Sequence, residues 1–349
     1  MRHWLSMLDY SPTELTGLVD FARALKSGAP CASLRGKVLA ILFFNSSLRT
    51  RTSFESVMFR YGGHAINLNV GADTWNLEHR DGVVMDGDRA EHIKEAAPVL
   101  SRYCDLLGVR TFAGLKDAAE DAADAVIRAF ARYATVPVVN MESAMEHPCQ
   151  GLADRMTMEE KLGAARGRRF VLSWAPHVKA LPMAVPHSAV LAAASADMHV
   201  TIAHPRGYDL NPAVLDRARA WCEAAGANLS VTDDQRAACR MADVLYVKSW
   251  GALAFYGAPE AQRDSFRRHR DWMVDAPLLP GRESLFMHCL PVRRNVVMTD
   301  AALDDPRCVV VDQAENRLWA QAAILQSLIV NQNPAREGGG HTRHSRAGF

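Results

Sequence analysis

The apolar run "VLAILFF" (Val38 to Phe44) leads directly into "NSSLRTRTSFESV" (Asn45 to Val57), and the reading of that junction decides the fold. Seven apolar residues in a row fit a buried strand of a parallel sheet. From Thr50 onward, Phe54, Val57, Met58 and Tyr61 share one helical face, and Gly62 and Gly63 end the pattern. A strand that enters a helix through small hydroxyl residues is the repeating unit of a parallel α/β fold. It is also an anion site, because the first N–H groups of a helix have no internal partners and the macrodipole adds positive potential. Ser47 and Thr50 can add hydroxyl donors, and Arg49 can grip a phosphate through paired hydrogen bonds. Arg49 and Arg51 stand two residues apart, so at most one of them faces the same ligand. Neither G-x-x-x-x-G-K-[ST] nor G-x-G-x-x-G occurs here, which argues against a nucleoside triphosphate or a dinucleotide. On these residues alone, a phosphate site and a solvated turn both stand.

Outward from the junction, strands and helices alternate. "SPTELTGLVDFARALKSG" reads as a capped helix, with Ser11 before Pro12 and Glu14. "HAINLNV", "DLLGVRTF" and "VPVVNM" read as strands, while "DRAEHIKEAAPVLSRYC" and about 117–133 read as helices. The second half repeats the alternation. "RGRRFVLSWA", "MHVTIAHP", "ADVLYVKSW", "ESLFMHCLP" and "RCVVVDQ" are expected strands, 212–226 a helix, and "ENRLWAQAAILQSLIV" a final helix. The pattern predicts an α/β protein of two doubly wound parallel-sheet domains, 1–150 and 151–314, with a final helix over 315–330. The Gly- and Arg-rich tail, 332–349, is expected to be disordered.

Composition narrows the function. The chain has 349 residues, with 40 Lys+Arg against 39 Asp+Glu, so no electrostatic case exists for nucleic acid or an anionic membrane. No apolar run reaches membrane-spanning length, and the first residues do not form a signal-peptide core. Seven scattered cysteines without a C-x-x-C pair fit free thiols in a reducing cytoplasm rather than disulfides or a zinc site. Three further polar clusters follow expected strands: Arg110 in "GVRTF", "HPCQ" (His147 to Gln150) and "HCLPVRR" (His288 to Arg294). Open parallel sheets bind ligands at the carboxyl ends of their strands.

"SLRTR" with "TSFE", then "HPCQ", then "HCLP", in this order and spacing, resembles the aspartate/ornithine carbamoyltransferase family over about residues 36–330. The resemblance implies the carbamoyltransferase fold, with helix 315–330 packed back on the first domain, and a homotrimer with shared active sites. It implies no metal or organic cofactor. It places Ser47, Leu48, Arg49, Thr50, Pro148, Cys149, Gln150, Cys289, Leu290 and Arg317 around carbamoyl phosphate. Arg110, His147 and Thr50 would meet the carbonyl oxygen, where charge grows as a neutral amine attacks and phosphate leaves.

The acceptor amine is read from other residues. Carbamoyltransferases for free ornithine carry an aspartate for the α-ammonium, and Lys248 in "VKSWGAL" stands at that place. A lysine repels an α-ammonium, so an ornithine with a masked α-nitrogen fits. "WAPH", Trp75 in "DTWNLE" and "MDGD" are similar to the branch that uses N-acylated ornithine in arginine biosynthesis. That likeness implies a knot near 176–187 and 248–257. It also implies that Trp75 reaches a neighbour's carbamoyl phosphate, and that Glu142, His177, Lys248 and Arg293 hold the acylornithine. N-Acetylornithine enzymes resemble a pattern with glutamate at Ala90 and a carbamate-bearing lysine at Val297. Both negative charges are missing here, which favours a succinyl group with its own carboxylate. "FARYATVPVVNMES" and "KSWGALAF" look more like the acetyl branch, so N-acetylornithine is the alternative. A catabolic ureido-forming member and a non-catalytic phosphate-binding module are the further rivals.

Overall fold

A computed structural model describes residues 1–281 and 283–330. The tail expected to be disordered lies outside the described residues. The first half runs α1 (Pro12–Lys26), β1 (Val38–Phe43), α2 (Leu48–Arg60), β2 (His64–Asn69), β3 (Asn76–Glu78), β4 (Arg89–His92), α3 (Ile93–Tyr103), β5 (Leu106–Arg110), α4 (Ala118–Ala123), α5 (Ala125–Tyr133), β6 (Val138–Glu142) and α6 (Pro148–Leu162). The second runs β7 (Arg169–Trp174), α7 (Ala184–Ser195), β8 (His199–Ala203), α8 (Pro212–Ala224), β9 (Leu229–Thr232), α9 (Gln235–Arg240), β10 (Val244–Lys248), α10 (Pro259–Arg268), β11 (Leu285–Met287), α11 (Asp300–Leu303) and α12 (Val310–Val330).

These strands form two main parallel sheets, ordered β2-β1-β5-β6 and β11-β10-β7-β8-β9. In each sheet the strand order reverses once, between β1 and β5 and between β7 and β10. Chain crossovers leave in opposite directions there and open a crevice at the strands' carboxyl ends. The two-domain α/β architecture is the one the alternation predicts. One face of the first sheet packs Ala40, Leu42, Leu107 and Val109 on Ile93, Ile127 and Phe130 of α3 and α5. Its other face joins a core that continues through α1, α6 and α12 into the second sheet. α12 packs on α6, α1 and α2, and so binds the two sheets together. None of the described helices is long and apolar enough to cross a membrane.

Four local readings change. "RCVVVDQ" is not a strand: Cys308 makes one bridge to Phe286, and α12 already begins at Val310. Val309 and Val310 are buried while Val311 is exposed, and a three-residue apolar run alone cannot be assigned to strand or helix. The expected helix of about 117–133 is broken at Asp124, which sits at φ 51° in the left-handed region. Its carboxylate turns to accept from Ser143 Oγ at 2.6 Å and Ala144 N at 3.0 Å. Arg89–His92 pairs with β3 before α3 starts, because His92 caps the helix through Lys94 N at 3.0 Å. "ESLFMHCLP" keeps only Leu285–Met287 as strand. The capping box of α1 forms as read, with Glu14 N donating to Ser11 Oγ and Ser11 N to Glu14 Oε2.

Candidate functional site

A cavity of about 390 Å³ opens at the carboxyl ends of both sheets, across the two crevices. β1 delivers Ser47, Arg49 and Thr50; β5 ends on Arg110; β6 ends on Glu142 and leads to His147 and Gln150. From the second sheet, β7 leads to His177, β10 ends on Lys248, and β11 leads to Cys289, Leu290 and Arg293. Arg317 arrives from α12. Residues separated by up to 270 positions meet because parallel strands all end at one edge.

Ser47 is the N-cap of α2, with its Oγ accepting from Thr50 N at 3.2 Å. The helix therefore starts at the cavity wall. Thr50 is fully buried, and its hydroxyl oxygen accepts from Arg317 Nη2 at 2.7 Å and Arg110 Nη1 at 3.4 Å. The hydroxyl proton is not used in either bond and can be donated to another acceptor. Arg110 is also paired with Glu142 Oε2 at 2.6 Å and lies over the Phe112 ring, 4.6 Å from its centroid. Arg51 does not share the site: it is exposed and pairs with Glu55 one turn on.

The cavity is strongly positive. Among the described residues, Arg49, Arg110, Lys179, Lys248, Arg293 and Arg317 line it against the single carboxylate of Glu142. Arg49, Arg110 and Arg317 each bury an Nε–H without a hydrogen-bond partner among the described residues. Buried guanidinium donors left open are costly unless an anion completes them. His147 is held at its backbone by Ser188 Oγ, which accepts from His147 N at 2.9 Å. Burial, then the charges of Arg317, Arg110 and Arg49, hold its imidazole well below the ordinary histidine range, so it is neutral at physiological pH. Its Nδ1 has no hydrogen-bond partner among the described residues, and Nε2 lies 3.7 Å from Glu142 Oε2. His177 is pushed down to about 4 by burial, with Lys248, Arg293 and Lys179 adding to the effect. The Cys289 thiol is raised by burial and is therefore neutral as well.

Six of the sequence-predicted residues lie elsewhere. Leu48 is 79% and Trp75 59% exposed, and Ala90 is exposed on β4. Pro148 and Cys149 are buried in the first turn of α6, with Cys149 Sγ donating to Asn140 O behind the cavity. Val297 is 1% exposed inside the core, and its N–H donates to Arg293 O at 3.0 Å. The two segments expected to knot lie in contact, Ser249 Oγ donating to Pro176 O and Gly251 N to Leu181 O. Sequence reasoning missed Phe112 and Lys179, and took His288 only as the first residue of the "HCLPVRR" cluster without a role. Lys179 had a signal, a lysine in the loop after a strand's carboxyl end. His288 is buried, and its Nδ1 accepts from Leu290 N at 2.8 Å. It thereby holds Leu290 at φ 55°, a strained conformation of the kind that collects at functional sites.

Residues 2–160 match the model of the aspartate/ornithine carbamoyltransferase carbamoyl-P binding domain, and residues 183–328 match that of the Asp/Orn binding domain. The chain belongs to the aspartate/ornithine carbamoyltransferase family. It is 42% identical to the N-acetylornithine carbamoyltransferase of Xanthomonas campestris pv. campestris, over 96% of this chain and 99% of the relative. It is 39% identical to the N-succinylornithine carbamoyltransferase of Bacteroides fragilis, over 85% of this chain and 89% of the relative. Acetylornithine transcarbamylase complexed with acetylcitrulline superposes with a TM-score of 0.91 at 43% identity, covering 94% of this chain and 99% of its own. A glutamate-to-alanine mutant of N-acetyl-L-ornithine transcarbamylase, complexed with carbamyl phosphate and N-succinyl-L-norvaline, gives the same TM-score at 43% identity, covering 94% of this chain and all of its own. In this family's terms, the crevice of the first sheet belongs to the half matched as carbamoyl-P binding. That of the second belongs to the half matched as Asp/Orn binding.

Proposed function

We propose that this carbamoyltransferase moves the carbamoyl group of carbamoyl phosphate to the δ-amine of an N-acylated ornithine, giving an N-acylcitrulline and phosphate. The observation that carries the reading is Lys248 at the end of β10, in a cavity with six cationic side chains and one carboxylate. Free ornithine would bring its α-ammonium against Lys248. An acylated ornithine brings only carboxylate and amide groups to that wall, and the dianionic donor takes the opposite one.

In this reading the phosphate lies at the N-terminus of α2, with Arg49, Arg317 and the Ser47–Thr50 backbone on its oxygens. The carbonyl oxygen faces Thr50 Oγ1, Arg110 and a neutral His147, three donors fixed before charge develops there. Gln150, Cys289 and Leu290 meet the carbamoyl end. Glu142, His177, Lys248 and Arg293 hold the acylornithine. Much of the acceleration comes from holding amine and carbamoyl carbon together in one desolvated cavity.

N-Succinylornithine is the favoured acceptor. The glutamate-to-alanine neighbour is a mutant that holds N-succinyl-L-norvaline, and this chain has Ala90 where the acetyl branch carries glutamate. An anionic acyl group gains from that missing charge. N-Acetylornithine is the second reading, supported by the 42% identity to an N-acetylornithine enzyme against 39% to an N-succinylornithine enzyme. Trp75, Ala90 and the exposed apolar residues Leu48, Phe59, Val84 and Met85 support a homotrimer in which one protomer completes its neighbour's cavity. Threading of the contact between 176–187 and 248–257 belongs to the same reading. The direct test incubates the protein with carbamoyl phosphate and N-succinylornithine and measures ureido product. Product is expected; none with either acylornithine would contradict the reading.

A further inference from the structure

Gln150 meets the cavity as a primary amide, and an amide has two unlike ends. Its Oε1 is buried and has no hydrogen-bond partner among the described residues. Its Nε2 donates to Asp154 Oδ1 at 2.7 Å. Asp154 is fully buried one turn further along α6. A carboxylate presents only lone pairs, so the amide must turn its NH2 toward Asp154 and its carbonyl toward the cavity. With a hydroxyl or amide in place of the carboxylate, either orientation would be open.

The same carboxylate oxygen reaches the other half of the molecule. Gln313 Nε2 of α12 donates to Asp154 Oδ1 at 2.6 Å, which leaves Gln313 Oε1 to accept from His288 N at 3.0 Å. His288 opens the turn that carries Cys289 and Leu290 into the cavity. One buried oxygen thus joins "HPCQ" of the first half to "HCLP" of the second, with each amide turned by the same demand for a donor.

We propose that Asp154 is a positioning residue that sets the polarity of the carbamoyl subsite. It presents Gln150 as an acceptor for the carbamoyl NH2, and through Gln313 it holds the Cys289–Leu290 turn in register with that acceptor. The inference rests on carbamoyl phosphate being the donor. Its consequence is discrimination: a donor with NH2 completes the buried Gln150 oxygen, while a methyl group in its place leaves that oxygen unpaired.

The titratable and charged groups facing Asp154 are Tyr246 of β10, Arg317 of α12 and Cys289 after β11. Burial pushes its carboxyl up to about 6. Above that pH it is a pure acceptor; below it, the protonated acid can donate and releases Gln150 to turn. Discrimination is therefore present above about pH 6 and lost as pH falls through it.

Acetyl phosphate replaces the carbamoyl NH2 by CH3 and keeps the phosphate, so it is the probe. The quantity measured is the Ki of acetyl phosphate divided by the KM of carbamoyl phosphate. In Asp154→Leu the ratio is expected to fall about tenfold, the worth of one buried polar contact. Equal weakening of both donors, with the ratio unchanged, would reduce Asp154 to a structural link and overturn the proposal. Should that variant fail to fold, the unaltered enzyme decides: the ratio narrows between pH 8 and pH 5.5, and a constant ratio overturns it. Absence of any carbamoyl transfer by the unaltered enzyme would instead bring down the donor assignment on which the inference rests.

Discussion

Arg49 and Arg51 show how much one residue's surroundings decide. Both follow the same strand, yet Arg49 buries its Nε–H in the cavity and Arg51 pairs with Glu55 in solvent. Helical geometry made at most one of them a ligand group, and the N-cap at Ser47 chose which. Arg49→Ala is expected to raise the KM for carbamoyl phosphate by at least about 100-fold, since a charge-assisted phosphate contact is worth about 3 kcal/mol. Arg51→Ala should leave it within about twofold, as exposed i,i+4 pairs contribute a few tenths of a kcal/mol. Steady-state kinetics with varied carbamoyl phosphate checks both. Ala90→Glu should move preference toward N-acetylornithine, measured as the ratio of kcat/KM for the two acylornithines. An unchanged ratio would show that residue 90 does not meet the acyl group. Arg49 was legible because its chemistry is local, a guanidinium after a strand, whereas Lys248 was read only through the likeness to enzymes that carry an aspartate at its place. Lys179 and His288 also follow strands' carboxyl ends, but nothing in the spacing marks the one side chain as wall and the other as brace.

Elements position the loops, and here the least legible features are polar contacts between distant segments. Asp124 looked like one more helical acid, but it breaks the helix and holds the Ser143–Ala144 turn that leads to His147. On the other side of that turn, Glu146 accepts from Ser6 Oγ and, at 3.0 Å, from Met7 N. Burial pushes the Glu146 carboxyl up to about 7. Because the folded-state value lies above the unfolded one, the folded chain binds the extra proton between them. Stability from this group is present below about pH 4.5 and lost as pH rises through about 7. Glu146→Gln keeps an acceptor and cannot ionise. It is expected to raise Tm at pH 8 relative to the parent and to leave the two similar near pH 4.5. The gain is on the order of 3 kcal/mol, read by thermal denaturation at the two pH values. Gly151 packs α6 on α7, where an added Cβ would lie 3.0 Å from Ser188 O and closer still to Met7 Sδ. Gly151→Ala is expected to cost about 1–3 kcal/mol by overpacking, measured by urea denaturation.

At the scale of the molecule, alternation of apolar runs and helical spacing was enough to read two parallel sheets. Period and run length are set by which faces are buried, and those survive in a bare sequence. The valines of "RCVVVDQ" misled because three apolar residues in a row read the same at a half-buried helix start, where Val309 and Val310 are buried and Val311 is exposed, as in a buried strand. What periodicity could not supply is the meeting of the two crevices. That depends on α12, which crosses from β11 back onto α1, α2 and α6 and carries Arg317 to Thr50. The central claim is that this joined cavity accepts an ornithine only when its α-nitrogen is acylated. The most direct measurement offers the enzyme carbamoyl phosphate with an equimolar mixture of ornithine, N-acetylornithine and N-succinylornithine, and resolves the three ureido products by mass spectrometry. The account predicts N-succinylcitrulline as the main product, some N-acetylcitrulline and almost no citrulline. Citrulline as the main product would contradict it.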